Sequence, residues 1–394
     1  MDPLAVSQAA EPASPPAPRL DRRAIADVLA SGRRLLVQGA MGINASDGLS
    51  GKVAAARTPR LLGVGTVSAV LKSPPMLARE IRRAKREAPG GFVGVNLMAA
   101  INKQDFEALA RVSFAEGVSF LVQGAGISRD VVKWSREAGI PFVGIVSSGR
   151  LAKMYEKWGA EWLVAEGAEA GGHIGDVGHP LLELLAEVRA ATGLPVVAAG
   201  GIGARDLPGI FERGAAGAQL ATRFLACSDG DVHPAFKDMH LRRGNEDVTL
   251  ITSCVKGMKA RAVRNAFTEG LAAGRCFPPR SKTWFFGPQG YMGRTKDCIE
   301  CLGEGLCLCR ESDFQESFCI TDALLDAAVR GDVENGLFYT GQSVTGIEET
   351  DPGRLPTVAG IFETLERSLD EASGTPSEGL PGRSRDLDFG LRFL

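Results

Sequence analysis

Short apolar runs recur about every 20 to 30 residues through the first part of the chain. They are Leu35–Gly39, Leu61–Thr66, Phe92–Leu97, Phe120–Gly124, Pro141–Ser148, Trp162–Gly167, Pro195–Gly201 and Ala218–Phe224. Between most of them lie segments with helical periodicity: Met76–Arg86, Gln104–Glu116, Asp130–Ala138 and Pro180–Ala191. An apolar run of this length, with no polar alternation, reads as a strand buried on both faces. Eight strand–helix units predict a parallel sheet, and eight is the number that closes a (β/α)8 TIM barrel. A doubly wound open sheet is the alternative. Against it, no run is followed by a complete Gly-x-Gly-x-x-Gly; Gly63-Val-Gly65 and Gly124-Ala-Gly126 both fail at the third glycine, and there is no Walker A sequence.

After Phe224 the pattern changes. His233–Arg243 and Gly257–Glu269 read as helices, Arg275–Arg294 as a loop rich in Pro, Gly and aromatics, and Thr321–Arg330 and Leu355–Ser368 as further helices. The expected organisation is a disordered tail over 1–20 and a barrel over 21–232. A smaller, mostly helical domain with a cysteine-rich segment follows over 233–345 and returns the chain to the barrel. A C-terminal helix over 346–371 and a flexible tail over 372–394 complete it.

Composition narrows the class. With 394 residues, 44% of them hydrophobic, there is material for a large core. The formal net charge of -2 and the lack of a basic block argue against a nucleic-acid partner. No apolar run reaches the roughly 18 residues a membrane span needs. The first 20 residues hold two acids and no apolar core, so they do not read as a secretory signal. The expected compartment is the reducing cytoplasm. Oligomerisation is left open.

Three glycine breaks carry the candidate chemistry. They are Gly167 with the following Ala-Glu-Ala-Gly171-Gly172-His173, Gly200-Gly201-Ile-Gly203, and the turn Gln219-Leu220-Ala221-Thr222 after Gly217. In a barrel of this kind, the loops after strands seven and eight commonly hold phosphate, and the second and third breaks occupy those places. Glycine lets backbone N–H groups approach an anion closely. The bland reading is that Gly200 and Gly201 only turn the chain. His173, between glycines and an isoleucine, has no obvious core to join. It reads either as a catalytic imidazole or as a side chain that bonds loop backbone. His179 and His233 precede prolines, and His240 falls on a predicted polar helix face.

Taken in order, Leu35-Leu-Val-Gln-Gly-Ala-Met41-Gly, Leu62-Gly-Val-Gly-Thr66, Gly94-Val-Asn96-Leu, Ala170-Gly-Gly-His173-Ile-Gly, Ala199-Gly-Gly-Ile202 and Gly217-Ala-Gln219-Leu-Ala-Thr222-Arg-Phe224 resemble the FMN-dependent nitronate monooxygenases, also called 2-nitropropane dioxygenases. Flavin-dependent enoyl-acyl-carrier-protein reductases share much of the pattern. The resemblance runs over about residues 33 to 345 and includes Arg261-Ala-Val-Arg-Asn265 and Gly331-Asp-Val-Glu-Asn-Gly336. It implies FMN across the strand ends. The phosphate would touch Gly200, Gly201 and Gln219–Thr222, including Leu220 and Ala221. The ring would lie near Gly39, Ala40, Met41, Asn96, Gly171 and Gly172. Gln123 could face the ring, although its loop departs from the family's usual sequence, and Asn96 could instead cap the next segment. His173 aligns with the family's histidine beside the flavin. As a neutral imidazole it could take a proton from a nitroalkane; as an imidazolium it could steady an anionic nitronate or an enolate.

The implied activity is oxidation of alkyl nitronates with oxygen to a carbonyl compound and nitrite. The alternatives are an NAD(P)H-fed ene-reductase acting on an enoyl thioester, an iron–sulfur flavoenzyme of specialised metabolism, and a non-catalytic flavin or cluster sensor. The last is opposed by the intact histidine loop. Of the 8 cysteines, five cluster: Cys298, Cys301, Cys307, Cys309 and Cys319. Thiolates suit a [4Fe–4S] cluster held by four of the five, or an all-cysteine zinc site; reduced thiols or a disulfide are the remaining readings. Cys227, Cys254 and Cys276 read as packing residues.

Overall fold

In a computed structural model of the chain, the predicted runs become parallel strands. The described residues are 15–42, 47–99, 103–175, 178–277, 285–286, 292–293, 306–311, 317–344, 347 and 355–374. In chain order the first elements are α1 (Arg22–Ala30), β1 (Arg34–Gln38), α2 (Asp47–Ala55), β2 (Leu61–Ser68), α3 (Pro74–Glu87), β3 (Phe92–Met98), α4 (Lys103–Ala115), β4 (Leu121–Gly124), α5 (Arg129–Glu137), β5 (Phe142–Val146), α6 (Gly149–Trp158) and β6 (Trp162–Glu166). A short β7 (Gly172–Ile174) precedes α7 (Leu181–Ala191), β8 (Val196–Ala199), α8 (Leu207–Glu212), β9 (Gly217–Leu220) and α9 (Thr222–Leu225). Strands β1–β6, β8 and β9 form a closed eight-stranded barrel. Register pairs such as Leu35 with Gly217 close it between β1 and β9. This is a TIM barrel, and the open-sheet alternative falls.

Both strand faces are buried, which is why the runs lack alternation. Leu35, Val37, Val64, Val143, Trp162 and Val197 pack inside the barrel, whereas Leu36, Val93, Leu163 and Val196 pack against the helices. Glycine decides one close approach. A Cβ on Gly63 would lie 1.8 Å from the Val53 carbonyl oxygen, and one on Gly65 would lie 2.0 Å from that of Ser50. These glycines let the backbone of α2 rest directly on β2, so the broken Gly63-Val-Gly65 motif is a packing feature.

Part of the expected N-terminal tail is ordered. Residues 1–14 lie outside the described residues, but Leu20 is fully buried in the barrel interior beside Ile25. Leu20 N–H donates to Ser119 O at 3.0 Å, and Trp162 Nε1 donates to Leu20 O at 3.0 Å. Sparse apolar residues hid this segment; the open N-terminal end of the barrel supplies the partner that orders it.

The later chain is less helical than expected. It contains α10 (Pro234–Leu241), β10 (Val248–Thr252), β11 (Lys259–Val263) and α11 (Ala266–Ala272), then α12 (Leu308–Glu311), α13 (Ile320–Leu325) and α14 (Val358–Gly374). The predicted helix Gly257–Glu269 is split: Lys259–Val263 forms β11, between β10 and β7 in an antiparallel sheet, and only Ala266–Glu269 is helical, as the start of α11. Neighbouring strands here override local preference. The predicted helix Thr321–Arg330 begins as α13, continues as a π turn over Asp326–Arg330, and ends at Gly331 with φ 67°. Helix α14 packs Val358, Ile361, Phe362 and Leu365 on the barrel's outer layer. Within the expected loop Arg275–Arg294, Phe285–Phe286 pairs with Met292–Gly293. The rest of that loop beyond Phe277, and the tail after Gly374, lie outside the described residues.

A buried ion pair braces the β2–α3 connection. Lys72 Nζ lies 2.5 Å from Glu80 Oε2, and both side chains are almost wholly buried. Glu80→Ala should therefore cost about 3–5 kcal/mol, because it strips a buried ammonium of its carboxylate. The midpoint of urea unfolding reports this, and Lys72→Met with Glu80→Leu should recover most of the loss. A single variant that melts like wild type would remove the pair from the stability account.

Candidate active site

The C-terminal ends of the barrel strands enclose two adjoining cavities, of about 440 Å³ and about 100 Å³. The smaller lies between the Gly200-Gly201 turn and the Gln219–Thr222 turn, which includes Leu220 and Ala221. Gly200 and Gly201 have φ of 105° and 62°, and a Cβ on Gly201 would lie 2.5 Å from Cβ of Glu169. Both positions need glycine. Among the described residues nothing accepts from the N–H groups of Gly200 and Gly201. Helix α9 starts at the same place with no side-chain cap. Thr222 also orders the wall, its Oγ1 accepting from Gly341 N–H at 3.1 Å. Outward-facing N–H groups around a small cavity suit a phosphate.

The larger cavity gathers the remaining candidates. Ala40, Met41, Asn96, Gln123, Gly172 and His173 all line it, while Gly39 lines the smaller one and Gly171 lines both. Gly39 N–H donates to Leu220 O at 2.9 Å, tying the first loop to the last. Gln123 is buried; its Oε1 accepts from Tyr155 O–H at 3.4 Å, and its Nε2 has no partner among the described residues. His173 Nε2 and Tyr339 O–H are likewise buried and unpartnered. Three orphaned polar atoms around one cavity are costly unless a ligand satisfies them.

His173 is held from outside the barrel. Its strand β7 pairs with β11, Ala260 opposite His173 and Arg261 opposite Gly172. The buried Arg261 reaches under the loop: Nε donates to Ala170 O at 3.0 Å and Nη2 donates to Ala168 O. The His173 ring meets Tyr339 edge-on, with centroids 5.6 Å apart. Tyr339 is fixed in turn by His240, whose Nε2 lies 3.1 Å from Tyr339 O and whose Nδ1 lies 2.9 Å from Phe236 O. His240 is fully buried, so the polar-face reading is corrected: it is a core residue joining α10 to the Tyr339 segment. His233 is the N-cap of α10, its Nδ1 accepting from Ala235 N–H.

Burial sets the charge states. It pushes the His173 imidazole down to about 4 and the Glu166 carboxyl up to about 7. It also raises Tyr155 to about 12 and Tyr339 well above the ordinary phenol value. Glu166 and Tyr339 were not among the sequence candidates. A carboxylate ending the apolar run Trp162-Leu-Val-Ala-Glu166 was the visible signal for the first; Tyr339 gave none, since only folding brings it to His173. Leu71 and Ala125 also line the cavity, with φ of 58° and 45°. Non-glycine residues in the left-handed region are strained and concentrate at functional sites.

The cysteine cluster is not assembled by the described residues. Cys298 and Cys301 lie outside them. Cys309 is buried, and Cys307 and Cys319 are half-buried. Among the described residues, no three potential metal ligands come together. Cys254 is nearer the segment than sequence suggested: Leu308 N–H donates to Cys254 O at 2.8 Å, and Val255 bridges Cys307.

A glycine cradle for phosphate, opening into a cavity with neutral polar atoms and apolar walls, fits a phosphorylated flavin. Comparison with known proteins agrees: the chain is a flavin-dependent oxidoreductase on a TIM barrel. The nitronate monooxygenase family pattern matches residues 29–358, and the chain belongs to that family. It is 32% identical over 214 residues to (3aS,4S,5R,7aS)-5-hydroxy-7a-methyl-1-oxo-octahydro-1H-indene-4-carboxyl-CoA dehydrogenase of Mycobacterium tuberculosis, covering 54% of this chain and 59% of the relative. It is 33% identical over 148 residues to a probable nitronate monooxygenase of Bacillus subtilis, covering 36% and 42%. Both matches span less than two thirds of the relative's length. FabK from Thermotoga maritima superposes with a TM-score of 0.71 at 25% identity, covering 89% of this chain and 96% of that one. Among the described residues, no helix is long and apolar enough to cross a membrane.

Two outcomes follow. Gly201→Ala should purify with much less flavin, read from visible absorbance per protein; full loading would show that the turn tolerates a side chain. Arg261→Met should speed amide hydrogen exchange over residues 168–174 by at least about tenfold, given about 1.5–3 kcal/mol for each hydrogen bond to a charged group. Unchanged protection there would mean that β11 alone holds the loop.

Proposed function

We propose that the chain is an FMN-dependent oxidoreductase that exchanges a hydride with an apolar carbon skeleton beside a carbonyl, with an acyl thioester as the substrate class. The observation that carries this reading is the lining of the larger cavity. Met98, Ile145, Leu151, Met258 and Leu324 make its walls, and no lysine or arginine is among its described lining residues. Neutral donors suffice for a carbonyl oxygen, whereas an anionic nitronate would favour a cation. The dehydrogenase relative, named for a carboxyl-CoA substrate, supports the same reading. FMN rather than FAD is supported by the small phosphate cavity and by the lack of a dinucleotide fingerprint.

Gly200, Gly201 and the Gln219–Thr222 turn would hold the phosphate; Met41, Asn96, Gln123 and Gly172 would meet the ring. FMN, when bound, supplies the hydride acceptor or donor. The chain's own part is placement and proton handling. The walls exclude water. His173 rests as a neutral imidazole across pH 5–8, able to donate or accept a hydrogen bond at Nε2 and to take a proton only transiently, and a resting imidazolium is set aside because burial opposes the charge. Tyr339 O–H, neutral for the same reason, offers a second donor.

Nitronate oxidation is the second reading. The Bacillus relative's name favours it, and a neutral His173 can serve as base for a nitroalkane. The iron–sulfur expectation draws no support from the described cysteines.

The test is anaerobic. Acyl-CoA esters with bulky apolar acyl groups should bleach the bound flavin, or their unsaturated counterparts should reoxidise it after NAD(P)H reduction. Bleaching by alkyl nitronates alone would return the site to nitronate oxidation. His173→Ala should keep the flavin and lose about 10²–10⁴-fold in turnover. The wild-type pH–rate profile should carry no inflection from His173 between pH 5 and 8. An inflection near 6.5 that disappears in His173→Ala would overturn the neutral-imidazole role.

A further inference from the structure

Glu166 ends β6 and lines both cavities, so it stands where the ring space meets the phosphate space. It is the single carboxylate among the described residues lining either one. Unlike Glu169, whose carboxylate accepts from Leu181 N–H, Glu166 makes no hydrogen bond or ion pair among the described residues, and its side chain is half-buried where the strand opens into the cavities. The titratable groups facing it are few. His173 on β7, Tyr155 on α6 and Tyr339 are all held neutral by burial. Arg223 on α9 is the one cation; its Nη2 lies 3.6 Å, and Asp206 Oδ2 3.3 Å, from where a Cβ on Gly203 would sit. Its guanidinium therefore shares that corner with a carboxylate. Gln123 and Gln219, which line the same cavities, carry no charge.

We propose that Glu166 binds FMN as the neutral acid, so that cofactor binding draws one proton from solvent onto its carboxylate. The inference rests on the FMN reading above. A phosphate of charge about −1.5 to −2 would seat in the small cavity with both Glu166 and Arg223 on its lining, and Arg223 already shares its corner with Asp206, so one guanidinium faces up to three anionic groups in surroundings that screen poorly. Two anions there repel, and protonation of Glu166 is the available relief. Burial already brings this carboxyl to about 7 before any ligand enters, so the empty site at neutral pH holds both forms and the loaded site only one. The sign is then fixed. Binding is strongest below about pH 7, where Glu166 is already protonated. It weakens as pH rises above that, by up to about tenfold per pH unit for one linked proton.

The experiment is titration of flavin-free protein with FMN by fluorescence quenching from pH 5.5 to 9, on wild type and Glu166→Gln. Isothermal titration calorimetry at pH 8, in buffers of different ionisation enthalpy, counts the protons. The near-isosteric Gln keeps every other titration, including that of the FMN phosphate, so the difference between the profiles belongs to Glu166. Wild type should weaken against the variant above pH 7 and take up close to one proton at pH 8, while the variant takes up none. Parallel profiles with equal proton counts would overturn the inference while leaving FMN in place. A variant weaker than wild type at every pH, with a normal melt, would overturn it by making the carboxylate a needed acceptor. Failure of both proteins to bind FMN, with FAD or no flavin bound instead, would overturn the cofactor reading and this inference with it.

Discussion

The pairing of β7 with β11 is the contact on which the site depends. A loop of small residues, Ala168 to Gly175, has no means of holding an imidazole in one place. The structure gives it a strand partner from a later part of the chain and an arginine beneath it, bonded to the carbonyls of Ala168 and Ala170. Arg261 O then accepts from Thr340 N–H, so the same strand also fixes the segment that carries Tyr339. His173 and Tyr339 are thus set against each other by one shared neighbour. The barrel provides the floor, and the later sheet decides what stands on it.

Desolvation is the common cause behind the electrostatics. It drives His173 down, and Glu166, Tyr155 and Tyr339 up, and in each case it outweighs every neighbouring charge. All four shifts favour the uncharged form. A site whose own groups are neutral leaves the largest charges to the cofactor and substrate, and it makes each remaining polar atom a donor or acceptor of defined direction. Strain gathers at the same place: Leu71 and Ala125 take left-handed backbone on opposite loops of the cavity, and Gly200 and Gly201 do so around the small one. The buried Lys72–Glu80 pair, immediately after Leu71, braces one of these turns.

Much of this was legible in the chain before folding. Runs such as Leu35–Gly39 and Pro195–Gly201 lacked alternation because both strand faces are buried, and that is a local property of a parallel barrel strand. The glycines at their ends marked the cradle, since only glycine takes φ of 62° at Gly201 without a clash. The candidates Gly39, Asn96, Gln123, His173 and Thr222 lie far apart in sequence and meet around one pair of cavities, because strand ends in a closed barrel must converge.

What the sequence by itself determined, then, was the barrel, its glycine turns at the strand ends and the histidine loop, all of which follow from short-range pattern and backbone freedom. Only tertiary structure decided the rest. Lys259–Val263 became a strand because β10 and β7 offered it edges. Leu20 became ordered because the barrel's open end needed filling. His240 became a core residue because a distant carbonyl, that of Tyr339, came within reach. Glu166 gained its raised carboxyl because folding placed it, half-buried, at the junction of two cavities without bringing it a partner. Each of these depends on contacts between residues remote in the chain, and local pattern carries no record of which remote partner will arrive.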